Sequence, residues 1–101
     1  MGKKIVYTSY NREDFSYRFR ISRFVFDKNA IPINPFLNFG YYLSDTVKEE
    51  KIEKANLELI KKCDEVWIFK NSFLKDGVIE EMKYASKERI PIKFFQIKEL
   101  Q

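Results

Sequence analysis

The chain is 101 residues long, 45% hydrophobic, and carries 19 Lys+Arg against 15 Asp+Glu for a formal net charge of +4. That length fits a single domain over residues 1–101, whose core draws on 10 Phe, 6 Tyr and 1 Trp. The lack of His excludes His-based triads and His metal sites, the lone Cys63 excludes an internal disulfide and suits a reducing, cytoplasmic setting, and no apolar run approaches the ~20 residues that span a bilayer.

Ile5-Val6-Tyr7-Thr8, β-branched and aromatic, predicts a first strand. Asn11 is placed to cap a helix running from about Glu13 to Asn29. Within it Phe15, Phe19, Ser22, Val25 and Phe26 recur at helical spacing as the inward face, while Tyr17, Ile21 and Phe24 form a second one. A helix apolar on two faces predicts either a subunit contact, hence a homodimer or higher homo-oligomer through this helix, or exposed aromatics of no consequence. Ala30 to Asn34 predicts a short second strand, stopped by Pro35. The aromatic segment 36–43 is too apolar to stand in water and is expected to cover a cleft or a neighbour. Thr46 and Glu49 have capping-box spacing for a second helix, which places Ile52, Ala55, Asn56, Leu59, Ile60 and Cys63 on one stripe. Glu65 to Lys70 has the continuous apolar centre of a buried parallel strand. A third helix spans about Gly77 to Lys87, with Val78, Met82, Ala85 and Ser86 inward, and Pro91 to Ile97 predicts the last strand.

Strands alternating with helices predict a small three-layer α/β sandwich, flavodoxin-like or Rossmann-like, with a four-stranded parallel sheet in the order 2-1-3-4 and three helices. Ligands in such sheets sit at the carboxyl ends of the strands, where the order reverses. The loops converging there are 8–12 and 70–77. Glu81, one to two turns into the third helix, lies about 100° from Met82 at the border of the buried stripe. Near the positive end of the helix dipole it tends to stay ionised, and it reads either as part of a solvated helix face or as a nucleophile. Tyr7 fits core packing or the crevice, and Asn56, polar within an apolar stripe, fits a structural hydrogen bond or a site role. Ser9, Asn11 and Arg12 after the first strand, and Ser72, Lys75 and Gly77 around the third helix start, fit anion contacts through side chains and helix-start amides, or plain turn and cap roles. The chain has neither a GxxxxGK nor a GxGxxG motif, and its scattered charges argue against polymeric nucleic acid as a partner.

Four pieces taken together resemble the nucleoside 2-deoxyribosyltransferase superfamily, which includes deoxynucleoside 5′-monophosphate N-glycosidases. They are the strand with Tyr7, the stretch Asn56-Leu57-Glu58-Leu59-Ile60-Lys61-Lys62-Cys63-Asp64, the strand Val66-Trp67-Ile68-Phe69, and Asp76-Gly77-Val78-Ile79-Glu80-Glu81-Met82-Lys83-Tyr84-Ala85. The resemblance implies that Glu81 is a nucleophile toward the sugar C1′, that Tyr7 orients it, and that Asn56 contacts base or sugar. It further implies that Lys75 meets the 5′ end, where an ammonium would favour a 5′-phosphate. The implied partner is a small nucleoside or nucleotide, with no metal or organic cofactor. The family usually places Asp where Asn56 stands, a small residue where Ile79 stands, and a Gly-rich turn where Ser9-Tyr10-Asn11 stands. These departures leave open a non-catalytic nucleotide-binding or oligomerisation module of the same fold.

Overall fold

The computed structural model describes residues 2–36 and 47–100. In chain order its elements are β1 (Ile5–Ser9), a 3-10 segment (Arg12–Tyr17), α1 (Arg18–Asp27), β2 (Ile31–Ile33), α2 (Glu49–Lys61), β3 (Glu65–Lys70), α3 (Asp76–Lys87), β4 (Ile92–Gln96) and a short 3-10 turn (Ile97–Glu99). The four strands form one parallel sheet in the order β2-β1-β3-β4, as the alternation of elements predicts. Tyr7 pairs with Ile33 on one side and Val66 on the other, and Ser9 pairs with Ile68.

Side chains alternate across a strand, so each strand feeds two cores. On one face Val6, Trp67 and Phe69 pack with Ile21 and Val25 of α1. On the other, Tyr7, Val66 and Ile68 pack with Ile60 of α2 and with Val78 and Ala85 of α3. The result is three layers, α1 against the sheet against α2 and α3. Both α1 and α3 end on a residue with positive φ, Asn29 at 65° and Arg89 at 61°. After each, a backbone N–H reaches back to close the last turn, Ala30 to Val25 and Ile90 to Ala85.

The first helix departs from expectation. It opens as a 3-10 segment with a non-helical residue at Asp14, and only from Arg18 is it α-helical. At about 100° per residue Val25 lies beside Ile21, while Phe19 and Phe26 share another face. Ile21 and Val25 are the buried pair, and Phe19 and Phe26, expected inward, are exposed. Phe24, expected on a second, outer face, instead packs edge-on against Trp67, Phe69 and Phe95, with ring centroids 6.3, 5.9 and 5.0 Å away. Guanidinium and ammonium groups lie over the exposed rings, Arg18 at 4.5 Å from Phe19 and Lys3 at 5.2 Å from Phe26. Ser86, expected inward, is exposed because Ala85 and Met82 already fill that side of α3. Thr46 and most of the aromatic segment 36–43 lie outside the described residues. Phe36, the first of that segment, packs on Tyr10 with centroids 4.9 Å apart.

Candidate active site

The parallel sheet reverses its order between β1 and β3, and the loops leaving these two strands meet at their carboxyl ends. One side chain joins the loops. Asn11, expected as a helix cap, makes no side-chain cap bond; it is buried, donates from Nδ2 to Phe73 O at 2.6 Å and accepts from Lys75 N at 2.9 Å through Oδ1. The β3–α3 loop already presents an open carbonyl and an unpaired N–H at the helix start, so Asn11 satisfies both of these at once. This clamp sets where α3 begins, and with it the position of Glu81.

Two hydroxyls on one strand face meet that carboxylate. Tyr7 Oη donates to Glu81 Oε2 at 2.6 Å, and Ser9 Oγ donates to Glu81 Oε1 at 2.7 Å. Tyr7 and Ser9 are two apart on β1, so the strand period alone turns both toward α3. Each carboxylate oxygen thus has its own donor in a fixed direction. Burial pushes the Glu81 carboxyl above the ordinary range; the Ser9 and Tyr7 bonds pull it partly back, and the nearby Glu53 charge adds to the rise. The Tyr7 hydroxyl is held well above its ordinary value, first by burial and then by the Glu81 charge and hydrogen bond, so it stays a donor.

A cavity of about 760 Å³ opens beside Glu81. Its walls come from the loop after β1, from Pro35 and Phe36, from one face of α2, and from the first turns of α3. Asn56 lines it, with its Oδ1 buried and lacking a hydrogen-bond partner among the described residues. Such an acceptor calls for a donor from whatever enters. Asn11, Arg12, Lys75 and Gly77 also reach the wall. A Cβ at Gly77 would meet nothing within 4 Å, so the fold does not demand glycine there; it leaves that stretch of wall open. Tyr7 and Ser9 sit behind the carboxylate rather than on the wall, so Ser9 presents its hydroxyl to Glu81 and not to the cavity. Ser72 is exposed and off the wall, because the Asn11 clamp draws in only the end of its loop.

Residues that the sequence reading did not single out are also here. Tyr10 lines the cavity and is fixed by donating its hydroxyl to Asn34 Oδ1 at 2.7 Å. Glu53 sits three residues before Asn56 on α2, a same-face spacing that could have flagged it. Glu13 and Glu49 stand at the rim, where Glu13 pairs with Lys75 at 3.0 Å and Glu49 with Arg12 at 3.9 Å. No sequence spacing links either pair, since each joins different elements. Among the described residues no cluster of His, Cys, Asp and Glu is arranged to hold a metal ion, and no helix is long and apolar enough to cross a membrane.

No curated protein matches the chain. Solved structures do. A 2-deoxyribosyltransferase from Leishmania mexicana superimposes with a TM-score of 0.70 at 19% identity, over 92% of this chain and 64% of that one. A CMP N-glycosidase, BcmB, from Clostridium botulinum superimposes with a TM-score of 0.65 at 18% identity, over 92% of this chain and 69% of that one. The chain therefore spans just under two thirds of the length of the first of these. At such identities the likeness is one of fold, a flavodoxin-like sandwich shared with both enzymes. Residues 7–95, a span containing Tyr7, Ser9, Asn56 and Glu81, match the sequence family described as a domain of unknown function (DUF7768), and the chain belongs to that family.

Proposed function

We propose that this protein acts on the N-glycosidic bond of a (deoxy)nucleoside, free or as its 5′-monophosphate, through Glu81. The observation that carries the reading is a half-buried carboxylate, with one hydroxyl donor on each oxygen, at the wall of a cavity at the sheet's switch point. Glu81 would attack the anomeric carbon as the C1′–N bond breaks and the electron pair leaves with the base. Water supplies the proton to that base, since the Asn56 amide cannot act as an acid. Water or a second base then displaces Glu81 from the glycosyl-enzyme, the two-step logic of retaining glycoside chemistry. Tyr7 and Ser9 hold the carboxylate in one orientation and favour its ionised form. Asn56 would use its unpartnered oxygen for a base or sugar donor. Asn11, Arg12, Lys75 and Gly77 would form the sugar end of the pocket.

The Asn56 amide also favours a second reading, a nucleotide-binding module without turnover. One experiment separates the two: each of the common nucleosides and their 5′-monophosphates is incubated with the protein and assayed for free base. Base release that disappears in Glu81→Gln is the expected result. Binding without release, unchanged in Glu81→Gln, would replace the enzyme by the module. The subunit contact proposed for the first helix now rests on Phe19 and Phe26, since Phe24 is half-buried against the core. Phe19→Glu should lower the mass of the wild-type oligomer in solution, and a wild-type monomer would end that proposal.

A further inference from the structure

The residues around the cavity carry an uneven charge. Among the described residues, six carboxylates line it, Glu13, Glu49, Glu53, Asp76, Glu80 and Glu81, against two cations, Arg12 and Lys75. The segment 37–46 contains one Asp and no Lys or Arg, so it adds no cation. Both cations are already paired: Lys75 Nζ is 3.0 Å from Glu13, and an Arg12 guanidinium nitrogen is 3.9 Å from Glu49. A terminal phosphate would have to displace a carboxylate from each and then remain beside the rest. Asn56 meanwhile offers a buried acceptor with no partner among the described residues, suited to a neutral N–H or O–H donor.

We infer that Glu13 is a specificity-determining residue: by pairing with Lys75 at the cavity rim it selects the free nucleoside over its 5′-monophosphate. This rests on the function proposed above and decides between the two substrate forms left open there. The mechanism is rejection rather than attraction, a repulsive element placed where the charged competitor would bind. The Lys75–Glu13 pair is exposed on both sides, so its effect is modest and salt-dependent.

The test is calorimetric titration at low ionic strength with each deoxynucleoside and its 5′-monophosphate, for the wild type and Glu13→Gln. The wild type should bind the nucleoside more tightly. Glu13→Gln should shift the affinity ratio toward the monophosphate by roughly three- to tenfold. A wild type that prefers the monophosphate, or a ratio that does not move in the variant, overturns the inference. A second arm keeps the two claims apart if neither nucleoside form binds, which would remove the proposed function itself. Inorganic phosphate is titrated while the backbone amide signals of Lys75 and Gly77 are followed. Shifts in Glu13→Gln with none in the wild type support rejection by Glu13; equal shifts in both overturn it.

Discussion

The molecule holds two glutamates, one buried and one half-buried, at opposite ends of the sheet, in opposite company. Glu65, at the start of β3, is met by charge: Lys4 Nζ is 2.6 Å from one oxygen, Lys93 Nζ is 3.6 Å from the other, and Trp67 Nε1 donates to that oxygen at 2.8 Å. Glu81, at the other end, is met among the described residues by the hydroxyls of Tyr7 and Ser9 and by no cation. Burial raises both carboxyls, but the Lys4 and Trp67 bonds and the Lys93 charge more than offset it at Glu65, whose value falls below the ordinary range. At Glu81 burial prevails and the value stays raised. A carboxylate neutralised by lysines is a structural tie with little left to react. A carboxylate held only by neutral donors keeps its charge available to a ligand, and its burial works against the fold.

The largest test of this contrast is chemical. Glu81→Gln should reduce base release by ~10³-fold or more while circular dichroism stays that of the wild type. A variant releasing base at the wild-type rate would make the two glutamates equivalent after all. Glu65→Ala should do the reverse. It strands the buried Trp67 N–H and should lower the unfolding free energy by about 1–3 kcal/mol in urea titration. Unchanged stability would show that the lysine end is not structural.

Tyr7→Phe sharpens the comparison by removing one neutral donor. Base release should fall about tenfold, and the acid limb of its pH profile should move to higher pH, because the ionised form of Glu81 loses support. A slower variant with an unmoved limb would reduce Tyr7 to packing.

The smallest effects lie in stability against pH, and here the two glutamates have opposite signs. Glu65 has its folded value depressed, so its contribution is present above the unfolded carboxyl value and is lost as pH falls through the folded one. Glu81 has its folded value raised, so the folded state holds the proton longer. Its penalty is absent at low pH, grows as pH rises past the unfolded value, and is complete above the folded one. Urea midpoints across this pH range should therefore show Glu81→Gln as stable as or more stable than the wild type at pH 7, with the gain shrinking toward acid. A loss at pH 7 would contradict the sign assigned to Glu81.

Much of the arrangement was legible because local patterns repeat with a fixed period. The apolar run Val66 to Phe69 read as a central strand and is one. Glu81 read as a border residue of its helix and borders the cavity. The first helix differs from expectation because periodicity separates two apolar faces without saying which one meets the sheet, and packing put Phe24 against the sheet and left Phe19 and Phe26 exposed. Asn11 fits a cap by residue type, yet its amide found two open backbone groups 62 and 64 residues away. Glu13 carried no signal, because an exposed glutamate near a helix start is ordinary in any sequence, and Glu49, which reads as a capping-box partner of Thr46, is instead the first residue of its helix and pairs with Arg12 at the rim.

By itself the sequence determined the three-layer architecture, the parallel sheet with its reversal between the first and third strands, and the strand and helix that carry Tyr7 and Glu81. These follow from periodicity and from the short connections that parallel strands require. Only the tertiary structure decided which donors face which carboxylate, where the cations of the rim are paired, and which oxygen of the cavity wall has no partner among the described residues. Those are contacts between residues dozens of positions apart, and their energies depend on distance and burial, which no local pattern encodes.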